Sequence, residues 1–383
     1  MGGGGNVSGS ASPRTFPHFM LHEIYQQPQA IRETIRRNTE DDIIFPGALD
    51  SIENEILTFE TIIIVASGSS RNAGLAGEIM IEDIAGDPVD VEYSSEYCYH
   101  SAHAGSNPVV VVITQSGETA DTTAAQREAT RRGAKTIAIS NVADSTIARA
   151  ADADLFTHAG VERAVPATKS FTSQLSVLYL LALFLARKRG RMTSEVIRAN
   201  LSHLAQVPAG IESHLVAWDA QTKECAHLCQ SAKNFLFLGR GVHYAIAREG
   251  SLKMKEISYV EAEGLPAGEL LHGPNALVND KLPVVVLATR DFLDPDSMHR
   301  YQKTLAVLEY LKSRGGRSIA ITTEGDNDVT AVADRVVFVP TAPELLLPIL
   351  EVVPLQLFAY HFAVLNGCNV DNPRNLVKSV ITE

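Results

Sequence analysis

Along the chain, short runs of apolar, mostly β-branched residues alternate with longer segments in which apolar positions recur every three or four residues. That alternation predicts parallel strands covered by helices. After an amphipathic opening, LHEIYQQPQAIRETIRRN, the runs fall into two sets of four. TIIIVA (61–66), VVVVIT (109–114), KTIAIS (135–140) and ADLFTH (153–158) form the first set; NFLFLG (234–239), PVVVLA (283–288), RSIAIT (317–322) and DRVVFV (334–339) form the second. The order of features repeats too. Each set has a strand leading through a Gly turn into a helix, an all-apolar strand, a strand led in by RRGAK or SRGGR, and a short strand opened by ADAD or VADR. A period of roughly 175 to 180 residues is far longer than a solenoid repeat and predicts a duplicated unit. The expected fold is therefore α/β: two tandem doubly wound parallel-sheet subdomains, flavodoxin-like, each with three α/β/α layers. One large mixed sheet would need crossovers among eight strands in a single layer and fits less well. The polar, helical segment 190–230 is the expected connector, and 345–365 a closing helix.

Composition narrows the function. The 383 residues are 45% hydrophobic and 20% charged, enough apolar surface for two cores. A formal net charge of -12 repels phosphodiester backbones and anionic lipid, so neither nucleic acid nor membrane is expected as a partner. A small anion can still bind where donors converge. The longest apolar stretch, LSVLYLLALFLA (175–186), is about half of the ~20 residues a membrane span requires and reads as a core or interface helix. Of the four cysteines, only Cys225 and Cys229 are close in sequence, and no second pair supplies the other two ligands of a zinc site. Packing cysteines in a reducing cytoplasm, with no metal and no cofactor, are the expectation. Residues 1–16, opening MGGGGNVSGSASP, read as a disordered or artificial leader.

In open parallel sheets ligands bind beyond the carboxyl ends of the strands. Three strands of the first set run into hydroxyl-rich turns there. ASGSSRNAG sets Ser67, Ser69 and Ser70 around Gly68; TQSGETADT places Thr114, Gln115, Ser116 and Thr119 before a helix expected to start near Glu118. Free N–H groups of a helix's first turn plus hydroxyl donors make an anion cradle without lysine, with phosphate the natural occupant. Ser116 acting merely as a helix cap explains one such turn equally well; two at neighbouring strand ends favour phosphate. Neither turn fits G-x-x-x-x-G-K-[ST] or G-x-G-x-x-G, so a sugar phosphate fits better than ATP or NAD. The third turn, GVERAVPATKSFTSQ, offers Thr168 and Ser170 as ordinary N-caps and Glu162, which as a loop carboxylate would usually be solvated.

The second set opens with FLFLGRGVHYAIAREGSLKMKEISYVEAEGLPAGELLHGP. On a helix, Val242, Ile246, Gly250, Lys253 and Ile257 share one stripe, which puts an ammonium on an apolar face. Glu256, at i+3, is in reach of it; a snorkelling lysine with a surface ion pair is the plain alternative. His272 precedes Gly-Pro and falls on a loop. Lys378, in the terminal DNPRNLVKSVITE, would ordinarily be a solvated tail residue.

From about His18 to Glu383 these segments resemble a known family. HFMLHEIYQQP, TQSGETADT, ATKSFTSQL, GRGVHYAIAREGSLKMKEISY, GELLHGP and VDNPRNLVKSVITE look like the isomerase half of glucosamine-6-phosphate synthase, the glutamine:fructose-6-phosphate amidotransferase, which consists of two sugar isomerase (SIS) domains. The resemblance implies that Ser70, Thr114, Gln115, Ser116 and Thr119 hold a sugar phosphate, with Ser67, Gly68, Ser69, Glu162, Val165 and Ala167 completing the substrate-binding set. It implies that Glu256 moves a proton between C1 and C2 with Lys253 beside it, that His272 reaches in from the other subunit of a homodimer to open the ring, and that Lys378 forms an imine with the ketose carbonyl. Each role suits its residue type. Implied boundaries are a leader 1–16, a first SIS subdomain 17–215, a second 216–367 and a tail 368–383 that closes the site.

The chain departs from the family at Ser67 (a cysteine there), Thr114 and Ala167 (serines), Leu271 (a lysine) and Val377 (an alanine). The phosphate hydroxyls survive, whereas Ala167 and Val377 lose or crowd sugar contacts. Gly2 stands where the synthase's glutaminase domain has its attacking cysteine, so glutamine is not the expected nitrogen source. The expected activity is aldose–ketose isomerisation of fructose-6-phosphate and glucosamine-6-phosphate with ammonia exchanged at C2, in a cytoplasmic enzyme. A non-catalytic sugar-phosphate-binding SIS regulator and a SIS deglycase of a sugar phosphate–amino acid adduct are the alternatives.

Overall fold

The computed structural model describes residues 15–99 and 107–380 of the chain. Most of the expected leader lies outside the described residues, but Phe16, assigned to it above, is ordered: its ring stacks on His22 at 5.1 Å and lies 5.0 Å from Tyr25.

Two five-stranded sheets carry the fold. The first holds β1 (Thr61–Ala66), β2 (Val89–Tyr93), β3 (Pro108–Ile113), β4 (Lys135–Ser140) and β5 (Ala153–Phe156). The second holds β6 (Asn234–Gly239), β7 (Glu261–Pro266), β8 (Pro283–Ala288), β9 (Arg317–Thr323) and β10 (Arg335–Val339). Every pairing within them is parallel. The first runs in the order β2-β1-β3-β4-β5 and the second β7-β6-β8-β9-β10, one topology used twice. The duplicated, doubly wound architecture read from the sequence is thus present, with one correction: each sheet has five strands rather than four. The additional strands, VDVEY and EAEGLP, are edge strands with one neighbour each. A half-exposed edge needs no continuous apolar run, and Gly264 and Pro266 hide β7 further.

The principal helices are α1 (Phe19–Tyr25), α2 (Gln27–Asn38), α3 (Gly68–Ala85), α4 (Ala120–Arg131), α5 (Lys169–Lys188), α6 (Ser194–Leu228), α7 (Val242–Ser258), α8 (Pro295–Ser313) and α9 (Leu347–Leu365). The connector is one continuous 35-residue helix, α6, with Pro208 inside it. Instead of two separate cores, one apolar cluster runs from Met20 to Val370 through both halves, with smaller clusters on the outer face of each sheet. At its centre lie α5 and α9, long and apolar enough to cross a membrane by composition but 94% and 89% buried over their most apolar windows. Residues 175–186 are all buried against the chain's own elements, so this stretch offers no face to a partner, contrary to the interface role considered for it. Each fully buried Leu there contributes about 1.5–3 kcal/mol. Cys225 and Cys229 are buried at the end of α6, and burial pushes both thiols up to about 11.

In a 2-1-3-4-5 sheet the ligand crevice opens where the winding reverses, between the first and third strands. In the second sheet that place, between β6 and β8, is filled by charge. His243 contacts Glu344 at 3.1 Å and Glu351 at 2.7 Å; Thr289 donates to Glu351, and Arg300 reaches Glu344 at 2.8 Å. Burial alone would lower the imidazole, but Glu351 and Glu344 outweigh it and push His243 up to about 10. An imidazolium clamped by two carboxylates occupies the crevice. In the first sheet the equivalent place is lined by hydroxyls.

Candidate active site

The turns after β1 and β3 flank the reversal point of the first sheet. After β1, Ser67 is extended and Gly68 adopts a φ of +56°, which lets the chain swing directly into α3. The Ser67 side chain caps no amide of α3. Ser70 Oγ accepts from Gln174 Nε2 at 3.0 Å, and Ser69 Oγ accepts from Lys253 Nζ at 3.0 Å.

After β3, helix α4 begins at Ala120 rather than near Glu118, and the N-cap position belongs to Thr119, whose side chain makes no cap bond. Ser116 therefore does not cap the helix; its Oγ accepts from Glu118 N–H at 3.2 Å and pairs with Ser379 Oγ at 3.0 Å. Thr114 Oγ1 accepts from Gly117 N–H at 3.1 Å. A hydroxyl whose lone pair is taken by an amide presents its proton outward, so this turn offers donors. One amide expected in the cradle is engaged: Ala120 N–H donates to Val380 O at 2.9 Å, and the tail thus lies across the start of α4.

Gly117 makes the turn possible. Its φ is +71°, and a Cβ there would stand 2.0 Å from Ser145 Oγ and 2.2 Å from Ser145 Cβ. Gly117→Ala is expected to cost about 2–4 kcal/mol in urea denaturation, from the left-handed backbone and the overlap together. It is also expected to weaken sugar-phosphate binding measured by calorimetry.

From the second half, α7 presents the predicted stripe, with Val242, Ile246, Gly250, Lys253 and Ile257 all buried. The snorkelling alternative for Lys253 fails, because its side chain is 1% exposed. Its ammonium lies 2.7 Å from Glu256 and 3.4 Å from Glu249, which is fully buried and also accepts from Asn72 Nδ2 at 2.9 Å. Burial opposes the Lys253 charge, but the two carboxylates overcome it and hold the ammonium above the usual lysine range; burial holds Glu249 above the carboxylate range. Glu256 keeps 22% of its side chain exposed, open to a ligand.

The tail brings the last group. Lys378 Nζ donates to Glu162 Oε2 at 2.7 Å and to Ala164 O at 2.8 Å. Glu162 is not solvated: it is 6% exposed and accepts from Thr168 N–H at 2.9 Å, Ser170 N–H at 3.1 Å and Ser170 Oγ at 2.7 Å. The start of α5 is capped by Glu162 rather than by Thr168 or Ser170. Burial raises that carboxyl, but the Lys378 ammonium and these donors prevail, leaving it below the ordinary carboxylate range. Ser379, adjacent to Lys378, is the partner of Ser116, so the ammonium and the hydroxyl turn are neighbours. Ser170 and Gln174, one turn apart on α5, join the Glu162 group to Ser70.

Val165 and Ala167 lie half-buried on the loop beneath the tail, where Val165 N–H donates to Asp371 O at 2.9 Å; Val377 is 63% exposed. His272 is exposed at the end of a short 3-10 turn and, among the described residues, makes no hydrogen bond to the others. Hydrogen bonds within one chain thus tie Ser69 to Lys253 and Glu256, and, through Gln174, Ser170 and Ser379, set Ser70, Glu162, Lys378 and Ser116 in one neighbourhood, whereas His272 stands apart.

Two carboxylates went unread in the sequence. Glu249 sits at i-4 from Lys253, so helical spacing was a usable signal. Glu23, on α1, is 3% exposed and accepts from Arg163 N–H at 2.5 Å and Ala164 N–H at 3.3 Å, clamping the peptide whose carbonyl holds Lys378. Burial, with some help from Glu162, pushes Glu23 up to about 7. No local pattern marks it.

Comparisons with known proteins agree with the duplicated fold. The family model for the SIS domain matches residues 55–184 and 228–366. The chain is 45% identical over 370 residues to an isomerizing glutamine–fructose-6-phosphate aminotransferase of Chlorobaculum tepidum, and 42% identical over 369 residues to that of Caldanaerobacter subterraneus subsp. tengcongensis. Each alignment covers 96% of this chain and 59% of the relative, so the chain spans about three fifths of their length. Among solved structures, the C-terminal domain of glucosamine-fructose-6-phosphate aminotransferase from Francisella tularensis superposes with a TM-score of 0.86 at 34% identity, covering 95% of this chain and 100% of that one. A glucosamine-6-phosphate deaminase of Thermotoga maritima, at 20% identity and a TM-score of 0.69 over 94% of this chain and 99% of its own, shares the fold. The chain belongs to the SIS domain family, as a tandem pair similar to the isomerase half of glucosamine-6-phosphate synthase.

Proposed function

We propose that this chain interconverts fructose-6-phosphate and glucosamine-6-phosphate by aldose–ketose isomerisation, with ammonia exchanged at C2. The observation that carries the reading is the Lys253 bridge. One ammonium links Ser69, in the hydroxyl turn of the first sheet, to Glu256, a half-open carboxylate of the second half. A phosphate grip and a base separated by one side chain suit a phosphorylated sugar laid across the seam. The names of the relatives, which cite fructose-6-phosphate and aminotransfer, support the same substrate class.

In this mechanism Thr114, Gln115, Ser116 and Thr119 hold the phosphate with help from Ser67–Ser70. His272 from a second copy of the chain opens the sugar ring in a shared site. Lys378, once its ammonium has lost a proton to solvent, attacks the C2 carbonyl; water leaves and an imine forms. Ammonia displaces the lysine from that imine, and Glu256 moves a proton from C1 to C2, leaving an aldose with an amine at C2. The reverse sequence consumes water and releases ammonia. Lys253 holds the Glu256 carboxylate in place through a 2.7 Å ion pair. The partition into a first subdomain (17–215), a second (216–367) and a site-closing tail (368–383), a cytoplasmic location and a homodimer all belong to this proposal.

The test is steady-state turnover of fructose-6-phosphate with ammonium, against glucosamine-6-phosphate with an ammonia assay. Turnover in either direction is the expected result. Tight sugar-phosphate binding with no turnover in both directions overturns it in favour of a non-catalytic sensor.

A further inference from the structure

Beside the Ser67–Ser70 turn, on the side facing β2 and β7, lies a cavity of about 330 Å³ that none of the chemistry above uses. It is lined by Gly68, Arg71, Tyr93, Arg248, Lys255 and Glu263, among others. Two guanidinium groups converge on it from opposite halves of the chain. The Arg71 guanidinium lies 3.7 Å from the centre of the Tyr93 ring, and its one hydrogen bond among the described residues is a long 3.4 Å contact to Val91 O. Arg248 donates to the Tyr93 and Tyr244 hydroxyls, each at 3.1 Å. Tyr93 therefore positions both arginines with neutral contacts only.

Among the described residues, neither guanidinium has a carboxylate within ion-pair distance, in a chain whose formal net charge is -12. Lys255 differs, being paired with Glu261 at 3.2 Å. Burial, with the like charge of Arg248 adding to it, lowers the Arg71 guanidinium from its ordinary value, the direction expected of under-compensated charge. Glu263 is the acid in the lining, with Glu92 and Glu78 close to Arg71 outside it, so the lining itself, with Arg71, Arg248 and Lys255, is cationic on balance. Guanidinium forks pair with oxyanions in charge-assisted bonds about twice as strong as neutral ones.

We propose that this cavity is a second anion site, which takes the phosphate group of a small ligand between Arg71 and Arg248. It adjoins the catalytic crevice and meets it at the Ser67–Ser70 turn. Gly68 is common to both, so an anion bound here rests against the back of the turn that faces the sugar. The site would therefore sense a phosphorylated metabolite other than the one being converted.

The experiment is calorimetric titration of the full chain with inorganic phosphate at low ionic strength. Two sites per chain are expected, one of them resting on the phosphate grip proposed above. Arg71→Leu with Arg248→Leu should remove one, and Ser116→Ala with Thr119→Ala the other. A single site that survives the arginine substitutions, or no phosphate binding at all, overturns the inference. A single site lost with the arginines but kept without Ser116 and Thr119 upholds it, and overturns the phosphate role of the turn instead. Should the double arginine variant fail to fold, Arg248→Gln keeps a donor for the tyrosine hydroxyls. It is expected to weaken this site at least tenfold, and unchanged affinity overturns the inference.

Discussion

Glu256→Gln is expected to lower the exchange of solvent deuterium into fructose-6-phosphate by about 10²–10⁴-fold, the usual contribution of a positioned general base, while binding of the sugar phosphate changes little. The amide preserves the shape of the side chain and still accepts from Lys253, now 2.7 Å away, but cannot take a proton from carbon. The phosphate grip lies on other elements, around Ser116 and Ser70, and is untouched. Deuterium incorporation followed by NMR, alongside calorimetric binding, separates the two effects. Retained exchange removes Glu256 from the base role; lost binding with lost exchange makes it a structural residue.

The second large effect concerns stability. Lys253→Met leaves Glu249 fully buried with only the neutral partners Asn72 and Ser69. Removing one partner of a buried ion pair costs about 3–5 kcal/mol, because the other charge stays uncompensated. The pH dependence has a definite sign. Glu249 already titrates above its unfolded carboxylate value, and loss of the ammonium raises it further. A carboxyl raised in the folded state binds its proton more tightly there, so the fold is favoured at low pH and loses stability as pH rises through the unfolded value toward the folded one. Urea denaturation should therefore show a larger deficit at pH 8 than at pH 5. Adding Glu249→Gln should flatten the difference, and a deficit independent of pH would mean that the lost lysine acts through packing alone.

What could be read from the chain beforehand followed burial. Strands buried on both faces are uninterrupted apolar runs, and the six internal strands were legible for that reason; the edge strands β5 and β10 were legible through the repeated lead-ins ADAD and VADR. VDVEY and EAEGLP were not, because each is an edge strand with a single buried position and carries no apolar run. The hydroxyl turns after β1 and β3 were visible because Ser, Thr and Gly crowd the end of an apolar strand. Lys253 was conspicuous as a charge in an apolar stripe, but its partner was sought only at i+3, so Glu249 at i-4 was overlooked. Glu162 resembled any loop acid until Lys378, 216 residues away in sequence, was placed against it. Glu23 depends on a loop 140 residues distant. Contacts of that range leave no periodic trace, and only tertiary folding reveals them.

Because a single apolar mass fills the space between the two sheets, neither half is free to swing on a hinge, and a substrate cannot be admitted by parting them. The movable pieces at the crevice are small ones. The stretch of tail carrying Lys378 and Ser379 is held by the Lys378–Glu162 ion pair, the bond to Ala164 O, one hydroxyl pair and one backbone hydrogen bond, so it is the natural latch. Peeling it back would uncover the start of α4 and withdraw the Lys378 amine in the same motion. Entry of the sugar and arming of the nucleophile would then be a single event, with little reorganisation asked of the rest of the molecule.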